Sequence, residues 1–137
     1  MTMNDNKQAV MEIYAAFGKG DVDGILRQMA SDVQWEYAWA QSPVPWLAPG
    51  TGPGHVARFV GALTQGCAIE KLEVKRVLAE GDLVVALVDV DGVVRSTGKR
   101  IVETDEPHIW YFDDRGRVRK FRHAADTYQQ ARALQPA

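Results

Sequence analysis

The segment EPHIWYF, residues 106–112, combines two titratable side chains with large aromatic ones. Successive side chains of a β-strand point to opposite faces, so Glu106, His108 and Trp110 share one face with Phe112. Burying titratable groups in a plain core is unfavourable, whereas a pocket uses them as polar handles. We therefore expect a pocket in which His108 is a general acid or base and Glu106 orients it or shares its proton. The alternatives are a core histidine with a local partner and a solvated carboxylate near the strand end.

A second aromatic group lies in VQWEYAW, where Trp35, Tyr37 and Trp39 alternate with Gln, Glu and Ala. This alternation predicts a strand with one aromatic face. If the face lines the pocket, its rings contact the substrate and the Tyr37 hydroxyl binds a carbonyl or enolate oxygen. A hydrophobic core is the alternative. Trp46, in a loop rich in proline and glycine, is expected either at the pocket mouth or as an anchor for the loop.

No metal or cofactor motif is recognisable. His55 and His123 complete the set of three histidines, but they form no i, i+4 pair and have no cysteine partner, so we expect no metal. GTGPGH lacks the glycine spacing and the βαβ unit of a dinucleotide site, so we expect no nucleotide cofactor. Cys67 is the single cysteine, which excludes an intramolecular disulfide and fits a reducing compartment.

The composition is that of one globular domain. The chain has 137 residues, of which 46% are hydrophobic and 25% charged, enough to bury a core without cross-links. The formal net charge is -2, and the basic stretch RGRVRKFR carries apolar residues as a solvated strand would, so nucleic acid is not an expected partner. No signal peptide or membrane-length apolar run is recognisable. We expect a single domain over residues 1–137, in the cytoplasm and without a membrane partner.

Hydrophobic spacing predicts the elements that must position these residues. Apolar residues at i, i+3, i+4 and i+7 predict helices over 5–18 and 22–30 and a third helix that starts near Val56. From residue 68, strands separated by turns at EGD, DG and DDRG indicate an antiparallel meander. Asp126, with Gln129 three residues later, predicts a capped C-terminal helix. This order of elements makes an α+β domain.

Three stretches together resemble the SnoaL-like branch of the nuclear transport factor 2 superfamily. They are YAAFGKGDVDGILRQMASDVQWEY, the loop before HVARFVGAL, and HIWYFDDRGRVRKFRHAADTYQQARAL. The resemblance covers nearly the whole chain and implies a cone-shaped curved antiparallel sheet wrapped against three N-terminal helices, with a mostly apolar pocket. The family includes ketosteroid isomerases, polyketide cyclases, limonene epoxide hydrolases, dehydratases and proteins that only bind or assemble. It also implies a homodimer joined through the outer face of the sheet, which would cover the central strand LVVALV.

The residues depart from the ketosteroid isomerase pattern at the catalytic positions. In that pattern an Asp is the base, and a Tyr and a protonated Asp form the oxyanion hole. The base aligns with Tyr37, the protonated Asp with His108, and the isomerase tyrosine with Ile13, next to Tyr14. These departures argue against steroid isomerisation by that route. His108 resembles instead the acid/base residue that SnoaL-like cyclases carry on this strand.

The sequence therefore predicts a pocket for a small apolar or aromatic ligand. His108 and Glu106 would move protons and Tyr37 would hold a developing oxyanion, which requires all three to face one cavity. The expected substrate contacts are Tyr14, Trp35, Trp39, Trp46 and Trp110. The expected reaction is a cofactor-independent isomerisation, cyclisation, hydration or dehydration of a carbonyl, enol or polycyclic compound. The alternative is a non-catalytic ligand-binding or dimerisation domain.

Overall fold

The computed structural model describes residues 2–37 and 42–136. Four α-helices and six strands are present in these ranges. The helices are α1 (Met3–Gly18), α2 (Val22–Leu26), α3 (Pro53–Gly66) and α4 (Thr127–Ala133). The strands are β1 (Met29–Trp35), β2 (Gly50–Thr51), β3 (Cys67–Glu80), β4 (Leu83–Val94), β5 (Arg100–Phe112) and β6 (Val118–His123), with a 3₁₀ helix at Pro45–Leu47. The predicted α+β class, three N-terminal helices and a short C-terminal helix are confirmed.

The strands form one curved, open sheet in the order β2-β1-β6-β5-β4-β3. Strands β3 to β6 pair antiparallel in chain order, as the predicted meander requires. Strand β1 instead lies parallel to β6, with Trp35 opposite Phe121. Parallel neighbours need a long connection, and here all of the chain from α3 to β5 lies between them. This pairing brings the end of β1 beside the end of β6.

Two predicted boundaries were wrong. Helix α2 ends at Leu26 rather than at residue 30, because Met29 and Ala30 already belong to β1. The predicted turn at Asp91-Gly92 does not exist, since β4 continues to Val94. Glycine is needed at 92 for packing: a Cβ there would lie 2.8 Å from the Cys67 Sγ atom and 3.0 Å from the Ala68 carbonyl oxygen.

The hydrophobic core fills the space between the helices and the inner face of the sheet. Val10 and Ile13 of α1 and Val56 of α3 pack against Val84 and Val88 of β4. A second cluster closes one end of this layer, where the 3₁₀ helix, α3 and α4 meet β3, β4 and β5. Within the described ranges, no helix is long and apolar enough to cross a membrane.

Phe112→Ala tests this core. Phe112 is 1% exposed and belongs to the main cluster, so we expect the substitution to lower the free energy of unfolding by about 3–5 kcal/mol in urea titrations. The matched control is Val102→Ala on the same strand, where the side chain is 50% exposed and a loss below about 1 kcal/mol is expected. Equal losses for the two variants would contradict this description of the core.

Candidate active site

A cavity of about 100 Å³ lies between α1, α3 and the inner face of the sheet. This volume is of the order of one small aromatic ring. Its lining is mainly apolar and aromatic, and six polar side chains reach it: Tyr14, Glu103, Glu106, His108, His123 and Gln130. Polar groups that converge on an apolar cavity are the usual mark of a binding site.

Strand β5 supplies three of these six side chains, Glu103, Glu106 and His108. Glu106, His108 and Trp110 point inward at alternate positions, and they are 5%, 8% and 3% exposed. Strict alternation would turn Glu103 to the outer face, but an irregularity in the β4–β5 pairing, with Asp105 at φ 54°, lets Glu103 and Glu106 both face inward. The Asp89 carboxylate accepts the Asp105 backbone N–H at 3.0 Å and so supports this conformation. Sequence alternation missed Glu103 for this reason.

His108 is held at both ring nitrogens. Its Nε2 lies 2.6 Å from Glu106 Oε1 and its Nδ1 lies 2.5 Å from the Tyr14 hydroxyl. Burial lowers the pKa of His108 to about 3, with a further contribution from His123, so the ring is neutral. A carboxylate only accepts, so Nε2–H donates to Glu106 and Nδ1 accepts the Tyr14 hydroxyl proton. Trp110 Nε1 donates to the same Tyr14 oxygen at 3.3 Å.

A second histidine, His123 at the end of β6, pairs with Glu36. Glu36 Oε1 accepts both the His123 Nδ1–H, at 2.9 Å, and the His123 backbone N–H, at 3.0 Å. Burial opposes protonation of His123, but the bond to Glu36 and the charges of Glu36, Glu106 and Glu103 outweigh it and raise its pKa. Its Nε2 has no hydrogen-bond partner among the described residues, and the ring lines the cavity. A raised pKa and a ring nitrogen without a hydrogen-bond partner among the described residues make His123 able to donate a proton to a bound ligand.

The sequence prediction for Tyr37 was wrong in its geometry. Strand β1 ends at Trp35, and Glu36 has φ 54°, which breaks the alternation. Glu36 is therefore completely buried, while Tyr37 is 37% exposed and does not line the cavity. The Lys120 ammonium group lies 5.3 Å from the centre of the Tyr37 ring. His108 thus lines the cavity and Tyr37 does not, whereas the predicted scheme required both to face one cavity.

Glu103 connects the cavity to the C-terminal helix. It accepts the Asp126 backbone N–H at 2.7 Å and the Gln130 side-chain amide, while the Trp46 indole donates to Gln130 Oε1 at 2.9 Å. Burial raises the pKa of Glu103 to about 7, with hydrogen bonding and charge repulsion from Glu106 adding to the effect. The two carboxyl groups thus form a buried pair beside the apolar walls.

The other predicted contacts take defined places. Tyr14, Trp35, Trp46 and Trp110 all line the cavity, and Trp46 is 3% exposed, so it is a wall and an anchor rather than a mouth residue. Trp39 lies outside the described residues. Among the described residues, no group of three or more potential ligands could hold a metal ion.

The chain belongs to the SnoaL-like domain family, whose profile matches residues 10–121. Its fold is similar to that of an NTF2-like protein from Burkholderia xenovorans, with 25% identity, a TM-score of 0.86 and coverage of 98% of this chain and 99% of that one. A polyketide cyclase candidate from Xanthomonas campestris has 20% identity and a TM-score of 0.73, with 97% and 98% covered. TerC, co-crystallised with polyporic acid, has 21% identity and a TM-score of 0.77, with 94% and 97% covered. A search of curated protein sequences gave no match.

The two cavity histidines should be distinguishable by NMR titration of their ring signals. We expect the His123 signal to titrate above its ordinary pKa of 6.5. His108 should show no titration between about pH 5 and 8, because it stays neutral in that range. Glu36→Gln removes the carboxylate that favours the imidazolium, so the pKa of His123 should fall.

Glu80→Gln is the control, because Glu80 is exposed at the end of β3 and its loss should leave both signals unchanged. A His108 signal that titrates in this range, or a His123 pKa that does not respond to Glu36→Gln, would contradict the assignment.

Proposed function

We propose that this protein is a cofactor-independent enzyme of the isomerase, cyclase or dehydratase type, which moves a proton between carbon and oxygen of a carbonyl or enol substrate. One observation carries the proposal: two buried histidines, each paired with a carboxylate, lie side by side at one apolar cavity, with 5.5 Å between the centroids of the His108 and His123 rings. The pKa of His108 is lowered and that of His123 is raised. Environments that push neighbouring pKa values apart separate the acid from the base.

In this scheme His123 is the general acid. The imidazolium donates its Nε2 proton to the substrate oxygen, while Glu36 holds Nδ1–H and stabilises the charged form. An oxygen that gains a proton in the apolar cavity avoids carrying a full negative charge away from water. In the reverse direction the same nitrogen takes the proton back.

Glu106 is the general base. Its carboxylate takes the proton from the carbon next to the carbonyl group, so that the carbonyl becomes an enol as His123 protonates the oxygen. Returning the proton to a different carbon gives isomerisation. Dehydration follows when a β-hydroxyl group takes the proton held by Glu106 and leaves as water, while the enol returns its O–H proton to His123 and becomes an enone. Each outcome balances without an electron acceptor or an added group.

His108 then has a positioning role rather than the acid/base role predicted from the sequence. Both of its ring nitrogens are occupied, and its lowered pKa of about 3 keeps it neutral. Its Nε2–H orients the Glu106 carboxylate, and its Nδ1 accepts the Tyr14 hydroxyl proton and so holds that hydroxyl within hydrogen-bond distance of the Trp110 indole N–H. Tyr14, Trp35, Trp46 and Trp110 are the proposed substrate contacts. TerC, which shares this fold, was co-crystallised with polyporic acid, and this supports a small organic ligand for the cavity of this protein.

Proton exchange at carbon tests the proposal without knowledge of the natural substrate. Single-ring enolisable ketones, such as acetophenone and cyclohexenone, are incubated with the protein in D₂O, and loss of the α-proton signal is followed by NMR. We expect the wild-type protein to accelerate exchange, and His123→Gln or Glu106→Gln to reduce the acceleration by about 100-fold or more.

The rate should fall as the pH rises through the raised pKa of His123, because the acid is then lost. Glu36→Gln should move this fall to lower pH, whereas Glu80→Gln should leave the rate and its profile unchanged. If no ketone exchanges faster with the protein than without it, the non-catalytic ligand-binding alternative replaces the enzyme proposal.

We also propose that residues 1–137 form one cytoplasmic SnoaL-like domain that assembles as a homodimer. The outer face of the sheet carries a partly exposed apolar surface made of Leu83, Val85 and Leu87 from β4 and Ile109 and Tyr111 from β5. Covering such a surface with a second copy would remove it from water.

Light scattering during gel filtration tests the dimer. We expect a mass near twice the 15.2 kDa of the chain, and Ile109→Arg should shift it to the mass of one chain, because a charge would be buried in the interface. The control is Val102→Arg, at a side chain 50% exposed on the same strand and seven residues before Ile109. A monomer in the wild-type protein would contradict the proposal.

A further inference from the structure

The charge of the cavity wall limits what the cavity can bind. Among the described residues that line it there are two glutamates and two histidines but no lysine or arginine. The histidines do not balance the glutamates: His108 is neutral, and the charge of His123 is matched by Glu36, which accepts its Nδ1–H at 2.9 Å. The Glu103–Glu106 pair therefore has no lysine, arginine or charged histidine among its hydrogen-bond partners in the described residues.

The donors that hold this pair are neutral groups. They are the His108 ring, the Asp126 backbone N–H and the Gln130 amide. Within the described part of the chain, neither carboxyl group forms an ion pair with lysine or arginine. A buried negative charge held only by neutral donors is an unusually favourable partner for a cation that enters with a ligand.

The remaining walls also favour a cation. Trp110 lies within 6.0 Å of Trp35, 5.8 Å of Tyr14 and 4.3 Å of Phe121, measured between ring centroids. All four rings line the cavity. The negative faces of aromatic rings attract ammonium groups, and they do so more strongly where water is excluded.

We propose that the cavity selects ligands that carry a protonated amine on a single-ring aromatic or apolar framework, with the ammonium group at Glu103 and Glu106 and the ring against the aromatic walls. The same charge weakens the binding of carboxylates and phosphates. The inference shares only the cavity with the proposed function. It adds a statement about the charge of the ligand.

A matched ligand series tests the selection. The probes are 2-phenylethylamine, 2-phenylethanol and phenylacetate, which share a phenyl ring and differ in the charge of their polar functional group. Binding is read from the intrinsic fluorescence of the cavity tryptophans. We expect the amine to bind about 10-fold or more tightly than the alcohol, which is about 1.4 kcal/mol, and the carboxylate to bind more weakly than either.

Two isosteric variants test whether Glu103 and Glu106 cause the preference for the amine. Glu106→Gln and Glu103→Gln each keep the shape of the side chain and remove a carboxylate, so each should reduce the preference for the amine over the alcohol by about 10-fold. Glu80→Gln removes one exposed negative charge and should not change the preference. Circular dichroism shows whether each variant is folded.

The proposal is overturned if the alcohol or the carboxylate binds as tightly as the amine, if the amine does not bind at concentrations up to about 10 mM, or if its advantage survives in both glutamine variants. The ketone exchange assay uses neutral compounds, so its result is independent of amine binding. If the protein accelerates ketone exchange but does not prefer the amine, this inference alone is wrong. If it prefers the amine but does not accelerate exchange, the enzyme proposal alone is wrong.

Discussion

Every ionisable side chain inside an apolar cavity needs a hydrogen-bond partner, and the site of this protein depends on meeting that requirement. His108 and His123 would each be costly to bury alone, and each is paired with a carboxylate, Glu106 or Glu36. The carboxylates are in turn held by further donors: the His123 backbone N–H bonds to Glu36, and Glu103, beside Glu106, accepts the Asp126 backbone N–H. Polar bonds as well as apolar packing therefore connect α4 to the sheet around the cavity.

Two backbone irregularities make these pairs possible. Glu36 and Asp105 each have φ 54°, a left-handed conformation that is unfavourable for residues with a side chain. Each is supported locally: Glu36 N–H donates to the Phe121 carbonyl oxygen at 2.7 Å, and Asp105 N–H donates to Asp89. Both irregularities let an additional carboxylate face inward, Glu36 beside His123 and Glu103 beside Glu106. Strained backbone thus coincides with the charged part of the cavity, as it often does at functional sites.

The fold and the chemistry are separable among proteins of this architecture. Proteins with the same fold and low identity include a polyketide cyclase candidate and an LEH-like epoxide hydrolase from M. tuberculosis, so the architecture by itself leaves the reaction open. The proton affinities of the cavity groups are set by burial and by neighbouring charges, which vary with single residues. The pairing of His123 with Glu36 and of Glu103 with Glu106 therefore sets the proton affinities of the groups in this cavity.

The sequence by itself determined the α+β class, the meander and the inward face of Glu106, His108 and Trp110, because these follow from local periodicity and turn chemistry. It did not reveal Glu36, Glu103 or the cavity role of His123. A bulge or a left-handed residue shifts the alternation by one position, and no local pattern announces it. The partnership of Glu36 with His123 joins residues 87 positions apart and exists only because β1 lies parallel to β6. Tertiary structure also decided the proton affinities, since burial and charge depend on neighbours that are distant in the sequence.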